Sequence, residues 1–287
     1  MHKPSILLLG YGQLNRALAA RLNSHCALTA VSRTPQTPEG LRHVAGDLTL
    51  AYPTELKGHA FDQVVFCLSP ADYTESAYAA IYDHALANVL EALTLAPPGQ
   101  FFLVSSTSVY SQNGGEWVDE ESPAHGNGFA GRQLIAAEAR IRQMPFPTTS
   151  IRFSGIYGGD RTRLIEQARR GDFDAEGPSG FSNRIHQDDA VGILAHLICL
   201  RATGASIAPC YLASDCEPTP LHEVMNWLAL QLGSQAKGRQ SAMGEARRRA
   251  GSKRCANRRT LDSGYRFLYP SFREGYGEML TRLGYRP

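Results

Sequence analysis

The hydrophobic positions of the chain fall into short continuous runs, each followed by a polar or glycine-containing turn. These runs are residues 6–9, 27–31, 63–68, 101–104 and 148–153. Short continuous apolar runs are typical of strands that are buried on both faces of a parallel sheet. We therefore predict a strand in each run.

The segments between these runs repeat their apolar residues at helical spacing. They are residues 14–22, 77–95, 131–142 and 190–200, and Pro97 closely follows the second as a helix stop. Alternating strands and helices predict an α/β fold, a Rossmann-type doubly wound parallel sheet with helices on both faces. Ligands of such sheets bind at the carboxyl ends of the strands, so the residues after each strand are the first site candidates.

The alternation weakens after Tyr157, where proline, glycine and short helices dominate. We predict a Rossmann domain at residues 1–157. We predict a small C-terminal substrate-binding lobe at residues 158–287, interleaved with the last strands of the sheet.

The composition argues against several partner classes. Hydrophobic residues make up 43% and charged residues 20% of the chain, and the formal net charge is +2. This charge is too mild to indicate a nucleic-acid or anionic membrane partner, and the first apolar run is too short to span a membrane. We expect a cytoplasmic protein without either partner. One basic cluster, within residues 247–259, is either a solvated loop or an anion-binding loop.

The cysteines and histidines do not indicate a metal site. The six cysteines include no CxxC pair and have no regular spacing. No group of histidine, cysteine and aspartate has the spacing of metal ligands, so we predict no metal.

A Gly-Tyr-Gly turn joins the first predicted strand to the first predicted helix. In a dinucleotide-binding domain the first glycine allows the tight turn, and the second lets a pyrophosphate approach the helix N-terminus. We predict that Gly10, Gly12, Gln13 and Leu14 bind a dinucleotide, with a βα turn that binds nothing as the alternative. Asn15 stands at the third glycine position, which predicts looser packing of strand and helix.

Ser32 and Arg33 end the second predicted strand. Domains that prefer NAD usually carry an acidic residue there for the ribose hydroxyls. A guanidinium instead suits a 2′-phosphate through charge-assisted hydrogen bonds. We therefore predict NADP in preference to NAD, and the alternative is an Arg33 that only caps the sheet edge in solvent.

The ends of the other strands supply further cofactor candidates. Asp47 follows what should be a further strand, between the runs at 27–31 and 63–68, and is a candidate for the adenine amino group, with an ordinary turn aspartate as the alternative. Leu68 ends the run at 63–68, Ser69 follows it, and Ser105 follows the run at 101–104. Since these ends share one edge of a parallel sheet, we predict that the four residues line the same cofactor site.

Four further segments resemble the extended short-chain dehydrogenase/reductase superfamily, the group that contains the NAD-dependent epimerases and dehydratases. They are VLEAL at residues 89–93, SSTSVY at 105–110, IRFSGIYG at 151–158 and NRIHQDDA at 183–190. The similarity covers nearly the whole chain, and it is closest to an atypical branch of the group. It implies an NAD(P)-dependent oxidoreductase, epimerase or dehydratase that acts on a sugar-like or nucleotide-sugar small molecule.

The catalytic set of this family is a serine or threonine, a tyrosine, a lysine four residues after the tyrosine, and usually an asparagine. The resemblance places the serine at Ser106. Phe129 and Gln133 stand at the tyrosine and lysine positions, and Tyr82 stands where the asparagine is expected. A phenol with a pKa of about 10 needs a neighbouring cation to act as a base near neutrality. Phenylalanine and glutamine supply neither group.

Three explanations of this departure stay open. In the first, another tyrosine serves as the acid/base; Tyr73, Tyr110 and Tyr157 are candidates, and we select Tyr157 together with Ser106. In the second, Arg132 replaces the charge of the lysine. In the third, the protein is a non-catalytic dinucleotide-binding sensor or regulator.

Substrate contacts are predicted in the same segments. Thr107 follows the candidate serine, and Arg152 and Arg184 are candidates for a substrate phosphate or carboxylate, with surface salt bridges as the alternative. His186 is a further substrate-binding candidate, although the aspartates after it favour a structural role at the start of a helix.

The expected partners are a small-molecule substrate and a second copy of the chain. Many members of the family pair through two helices, which correspond here to residues 77–95 and 131–142. The resemblance therefore implies a homodimer.

Overall fold

The structure is a computed structural model that describes residues 3–36, 39–176, 180–237 and 252–285. Its backbone contacts divide the chain into two compact units. The first unit consists of Met1–Val109, Ala124–Arg152 and Val191–Tyr211, and the second of Tyr110–Pro123, Phe153–Ala190 and Leu212–Pro287. The domain boundary after residue 157 stays a prediction. Residues 247–249 of the basic cluster lie outside the described residues.

Strands and helices alternate through the first part of the chain. In chain order the strands are β1 (Ser5–Leu9), β2 (Ala27–Ser32), β3 (Arg42–Ala45), β4 (Gln63–Phe66), β5 (Gln100–Ser106), β6 (Glu116–Val118), β7 (Thr148–Phe153), β8 (Gly155–Tyr157), β9 (Phe181–Ser182), β10 (Arg184–His186), β11 (Cys210–Ala213), β12 (Thr219–Pro220) and β13 (Lys253–Cys255). The helices are α1 (Gln13–Leu22), α2 (Glu75–Ala79), α3 (Leu86–Leu93), α4 (Phe129–Arg142), α5 (Arg163–Arg170), α6 (Gln187–Ala202), α7 (Leu221–Leu232), α8 (Arg258–Asp262) and α9 (Phe272–Arg282). Within the described ranges, no helix combines the length and apolar character needed to cross a membrane.

The central sheet is parallel and has seven strands in the order β3-β2-β1-β4-β5-β7-β11, of which β1 to β5 lie in the first unit. Strand β1 pairs in parallel with β2 on one side and β4 on the other, so that Leu9 lies opposite both Val31 and Phe66. The predicted Rossmann-type doubly wound sheet is confirmed. The order of strands reverses between β1 and β4, and this reversal creates the crevice in which ligands of such sheets bind.

Helices on both faces of the sheet explain the continuous apolar runs. The consecutive residues Leu7 and Leu8 of β1 point to opposite faces, and both are fully buried. Leu7 belongs to a core that also contains Phe66, Phe101 and Leu86 of α3. Full burial of such a side chain contributes about 1.5–3 kcal/mol to folding.

The helix predicted at residues 77–95 is interrupted. It begins after Thr74, whose hydroxyl accepts a hydrogen bond from the Ala77 amide at 3.2 Å. The π-helical segment Ala80–Ala85 then joins α2 to α3. A π segment leaves almost no trace in the apolar pattern, because it adds a single residue to one turn.

The second unit contains short strand pairs and its own core. Strands β8 and β10 pair in parallel, β6 and β13 pair in parallel, and β9 and β12 pair antiparallel. Its core packs α5, α7 and α9 together through residues such as Ile165, Leu228 and Phe272. The apolar pattern did not predict these strands because two or three residues cannot establish a period of two.

Candidate functional site

A cavity of about 450 Å³ opens in the first unit, outside the carboxyl ends of the strands on both sides of the crevice. Its lining contains seven of the predicted cofactor residues: Gly10, Gly12, Ser32, Arg33, Asp47, Leu68 and Ser69. Gln13 and Leu14, also predicted, form the first two positions of α1. Small residues of the α2 region, Ala77 and Ala80, complete one wall. The sequence did not predict Ala77 and Ala80 as lining residues, because a small side chain alone does not distinguish a cavity wall from any other helix surface.

The two glycines of the turn have different physical reasons to be glycine. Gly10 has φ of +87°, and a Cβ atom there would lie 2.5 Å from the carbonyl oxygen of Cys67. A Cβ atom on Gly12 would meet no atom within 4 Å, and φ of −83° allows any residue. Gly10 is therefore required by the fold, whereas Gly12 leaves open space in front of a helix end.

No side chain caps this end of α1. The first amides of a helix have no acceptor within the helix, and the helix dipole gives this end a partial positive charge. The amides of Gln13 and Leu14 therefore belong to a helix end suited to an anion, at the position that the Gly-Tyr-Gly turn leaves accessible.

The looser packing of strand and helix that we predict at Asn15 stays a prediction. Asn15 is fully buried, and its side-chain amide donates to the carbonyl oxygen of Gly10 at 2.6 Å. The asparagine thus occupies the space of the missing third glycine and ties the helix to the turn by a hydrogen bond.

At the end of β2, the side chain of Arg33 is exposed and that of Ser32 is hydrogen-bonded within the protein. Arg33 is exposed at the cavity. The hydroxyl of Ser32 lies 2.9 Å from Nε2 of His43 and also donates to the Thr34 carbonyl oxygen at 3.2 Å. Burial lowers the pKa of His43, so this ring favours its neutral form.

Asp47 faces the same cavity from the end of β3. One carboxylate oxygen accepts from the hydroxyl of Thr49 at 2.7 Å and from its amide at 2.9 Å. These hydrogen bonds, and to a smaller extent the charge of Arg33, hold the pKa of Asp47 below its usual value. Asp47 is thus a turn aspartate that also presents a carboxylate to the cavity.

Ser105 and Arg152 occupy different places from those predicted. Glu138 of α4 is buried, and one of its oxygens accepts from the Ser105 hydroxyl at 2.6 Å. Arg152 donates to the same carboxylate from Nε at 3.0 Å and from Nη2 at 2.7 Å. The side chains predicted to contact cofactor and substrate therefore form an internal ion-pair network of the first unit.

Ser106 and Thr107 lie at the end of β5 and in the turn that follows it. The Ser106 hydroxyl is partly exposed and accepts from the Ser108 amide at 3.2 Å, while Thr107 is buried. The N-terminal part of α4 packs closely on this turn, since a Cβ atom on Gly131 would lie 2.5 Å from the Ser108 carbonyl oxygen.

Phe129, at the tyrosine position of the family, lies in a cluster of aromatic rings. Its ring centroid is 4.8 Å from that of Tyr73 and 5.4 Å from that of Tyr78. Tyr73 is 45% exposed, so one phenol beside Phe129 reaches solvent. Burial raises the pKa of both Tyr78 and Tyr82. Gln133, at the lysine position, is uncharged, and the guanidinium of Arg132 lies 3.6 Å from the carboxylate of Glu75.

The other two tyrosine candidates are internal to the second unit. The Tyr110 hydroxyl donates to the Asp119 carbonyl oxygen at 2.7 Å. Tyr157 is buried and stacks on Tyr276 at 4.4 Å, and burial raises the pKa of its phenol further above the normal value. The environment of Tyr157 therefore does not favour a phenolate.

His186 and the aspartates after it hold the second unit together. His186 is buried, its Nδ1 accepts from the Asp188 amide at 3.2 Å, and its ring lies 4.1 Å from that of Tyr269. Burial lowers its pKa. Asp189 accepts three hydrogen bonds, from the Tyr265 hydroxyl and the amides of Leu268 and Tyr269. These contacts support the structural alternative for this segment.

No family model matches the sequence, and no curated protein matches it. Among solved structures, an NAD-dependent epimerase/dehydratase from Methylobacillus flagellatus is 32% identical, with a TM-score of 0.81 over 99% of this chain and 100% of its own. The fold and the glycine turn define a Rossmann-type protein of the extended short-chain dehydrogenase/reductase class. Within that class, this chain belongs to the NAD-dependent epimerase/dehydratase family.

More distant structures share the fold. Human epimerase family protein SDR39U1, solved with NADPH, is 21% identical, with a TM-score of 0.77 over 96% of this chain and 99% of its own. MoeE5, solved with UDP-glucose and NAD, is 23% identical, with a TM-score of 0.77 over 98% of this chain and 99% of its own.

Proposed function

We propose that the protein is an NAD(P)-dependent enzyme of the epimerase/dehydratase type that acts on a sugar-like or nucleotide-sugar substrate. The observation that carries this proposal is the cavity of the first unit, with an uncapped helix end behind the open Gly12. In this proposal the amides of Gln13 and Leu14 bind the pyrophosphate, and Asp47, Leu68 and Ser69 surround the adenosine half and the bridge. The bound nicotinamide supplies hydride transfer.

The ligands bound to structural neighbours support both the nicotinamide cofactor and the nucleotide-sugar substrate. SDR39U1 was solved with NADPH, and MoeE5 was solved with NAD together with UDP-glucose or UDP-glucuronic acid. The fit of this chain's own residues supports the same cofactor class, since the space that a Cβ atom on Gly12 would occupy, in front of the helix end, is open.

A Gly12→Val variant tests the dinucleotide site. Its side chain projects into the space reserved for the pyrophosphate, so we expect NADPH affinity to fall at least about tenfold, while the fold loses only about 1 kcal/mol at the helix cap. Fluorescence titration with NADPH measures the dissociation constant of the wild type and of each variant. Gly277→Ala in α9, where a Cβ atom also meets open space, is the matched control. Equal affinities in all three proteins would remove the proposed site.

The proposed preference for NADP rests on Arg33. Its exposed guanidinium at the cavity suits a 2′-phosphate, and the end of β2 carries no acidic residue. We expect Arg33→Ala to weaken NADPH binding about 12- to 140-fold, which corresponds to the about 1.5–3 kcal/mol of a charged hydrogen bond, and to leave NADH binding unchanged. Parallel titrations of the wild type and Arg33→Ala measure their affinities for NADPH and for NADH. An equal loss of affinity for both nucleotides would contradict the preference for NADP.

Phe129 occupies the position of the family's catalytic tyrosine. In this proposal the acid/base groups are therefore Ser106 and a tyrosine at another position. Tyr157, our choice from sequence, is poorly suited because burial raises its pKa. Tyr73 is the better candidate of the three, since its half-exposed ring contacts Phe129.

A second candidate function is a non-catalytic dinucleotide-binding sensor, and Phe129 with Gln133 favours it. The double change Phe129→Tyr and Gln133→Lys restores the family's pair on α4. Single-turnover assays of NADP⁺ reduction over a panel of sugars and nucleotide sugars decide between the functions. Activity in the double variant alone supports the sensor, whereas turnover by the wild type supports the enzyme.

The proposal also includes a cytoplasmic location and a homodimer formed through α2, α3 and α4. Arg140 of α4 already donates to the Asp83 carbonyl oxygen at 2.9 Å, so these helices form one continuous surface within a protomer. Light scattering of the purified chain measures the oligomeric state, and a monomer at micromolar concentration would remove this part of the proposal.

A further inference from the structure

The side chains of Ser32 and His43 meet across two neighbouring strands of the first unit. Strands β2 and β3 pair in parallel, with Ala30 opposite His43. Ser32 stands two residues after Ala30, and alternate residues of a strand face the same side of the sheet, so Ser32 is the diagonal neighbour of His43 on one face. Nε2 of His43 lies 2.9 Å from the Ser32 hydroxyl oxygen.

The hydrogen bonds of the Ser32 hydroxyl assign the direction of this contact. A hydroxyl carries a single proton, and Ser32 donates it to the Thr34 carbonyl oxygen at 3.2 Å. The Ser32 oxygen is therefore the acceptor in the contact with His43, and Nε2 of His43 is the donor. The neutral imidazole can carry its proton on Nε2, and burial favours the neutral ring by lowering the pKa of His43.

The ring of His43 packs beside Tyr11 of the Gly-Tyr-Gly turn. The two ring centroids lie 6.1 Å apart, and the Tyr11 side chain is buried. Arg16 of α1 donates from Nε to the Tyr11 carbonyl oxygen at 3.0 Å, which ties the turn to the helix. The imidazole is thus held by residues of the protein itself, and its Nε2 donor is directed at Ser32 before any cofactor binds.

Ser32 connects this pair to the cavity of the first unit, which it lines together with Arg33. In the proposed function the 2′-phosphate of NADP binds beside Arg33. A charged phosphate oxygen is a stronger acceptor than a carbonyl oxygen, so we expect the Ser32 hydroxyl to turn its proton from Thr34 to the phosphate. His43 can donate to the Ser32 oxygen throughout this exchange, because a hydroxyl accepts and donates at the same time.

We propose that His43 is a positioning residue for the 2′-phosphate of NADP, because its Nε2–H group fixes and polarises the Ser32 hydroxyl that donates to the phosphate. Hydrogen bonds in a chain strengthen one another, so Ser32 is a better donor while His43 is bonded to it. Selection of NADP then depends on a pair of side chains from two strands in addition to Arg33. The inference rests on the proposed dinucleotide site and names the part of it that distinguishes the two cofactors.

The test is calorimetric titration of the full chain and its variants with NADPH and with NADH. His43→Phe keeps a ring but removes the donor, and His43→Gln keeps a side-chain N–H donor of similar reach. Ser32→Ala removes the hydroxyl, and a double variant combines Ser32→Ala with His43→Phe. His25→Phe is the matched control, because His25 is exposed in the turn between α1 and β2.

We expect His43→Phe to bind NADPH about 2- to 12-fold more weakly than the wild type, the range for loss of one neutral hydrogen bond, and to bind NADH equally well. His43→Gln and His25→Phe should keep the wild-type affinity for NADPH. Ser32→Ala should weaken NADPH binding at least as much as His43→Phe does, and it keeps the test valid if His43→Phe does not fold. In the double variant, His43→Phe should add no further loss, because His43 acts through the Ser32 hydroxyl.

An equal loss of affinity for NADPH and NADH in His43→Phe would overturn the inference, because it would show a general structural role. An unchanged NADPH affinity in either single variant that removes a partner would overturn it as well, and so would a further loss in the double variant. Failure of the proposed function gives a different result, since the wild type then binds neither nucleotide. Failure of this inference alone leaves nucleotide binding by the wild type in place.

Discussion

At the scale of single residues, the first unit contains a carboxylate that the surrounding side chains fully engage. Glu138 is 1% exposed and accepts from Ser105 and Arg152. Ser105 was predicted to contact the cofactor because it lies at the carboxyl end of a strand, and Arg152 was predicted to contact the substrate because it lies in a segment that resembles the family. Sequence reasoning could not find Glu138, since a charged residue in an amphipathic helix gives no sign of facing the core.

We expect Arg152→Met to destabilise the protein by about 3–5 kcal/mol, because the substitution leaves the Glu138 carboxylate buried and unpaired. Urea unfolding followed by circular dichroism measures the loss. Arg142→Met is the control: this arginine also approaches Glu138, at 3.7 Å, but its side chain is 52% exposed. A loss below about 1 kcal/mol for Arg152→Met, the size typical of a surface pair, would contradict this account.

A pH dependence follows from Asp215. Burial raises its pKa from 3.8 to about 8 in the folded protein. The folded state therefore keeps a proton that the unfolded chain releases, and the stabilisation is complete below about pH 4 and is lost as the pH rises towards about 8. Asp215→Asn cannot ionise and should gain stability relative to the wild type between about pH 5 and 8.

Unfolding free energies of both proteins, measured across this pH range, test the sign of the effect. Asp262→Asn serves as the control, because the Asp262 side chain is 70% exposed. A constant difference between Asp215→Asn and the wild type would show that Asp215 is ionised throughout.

At the scale of elements, the sequence predicted best where apolar runs are long. The strands at 6–9 and 148–153 agree with β1 and β7 to within a residue, since burial on both faces demands uninterrupted apolar residues. The π segment Ala80–Ala85 and the two-residue strands of the second unit were not predicted. Their formation depends on tertiary contacts and hydrogen bonds that a local pattern does not record.

Helix α9 illustrates such a contact. A Cβ atom on Gly275 would overlap the hydroxyl of Tyr157, whereas one on Gly277 in the same helix would meet open space. We expect Gly275→Ala to destabilise the protein by about 1–3 kcal/mol through overpacking, and Gly277→Ala to stabilise it by up to about 1 kcal/mol through helix propensity.

Thermal unfolding of the two variants measures this difference between two glycines of one helix. In a Tyr157→Phe background the cost of Gly275→Ala should shrink, because the overlapping oxygen is gone. An unchanged cost would place the strain elsewhere.

At the scale of the whole molecule, the fold and the cavity at the strand ends were largely predictable and the chemistry was not. The glycine turn, Ser32, Arg33 and Asp47 line one cavity because parallel strands end at one edge of the sheet. The turn needs only local geometry, so it is visible in sequence. Replacement of the family's tyrosine by Phe129 is visible too, but the rings of Tyr73 and Tyr78 around it come from a separate segment that no spacing rule connects to it.

Binding of a nicotinamide dinucleotide to the first unit is tested by the melting temperature of the wild-type chain with and without NADPH. At 100 times its dissociation constant the ligand should stabilise the folded protein by about 2.7 kcal/mol, which is a rise of several degrees for a chain of this size. We expect this rise for the wild type and its loss in Gly12→Val. A melting temperature that neither NADPH nor NADH changes at millimolar concentration would contradict the claim.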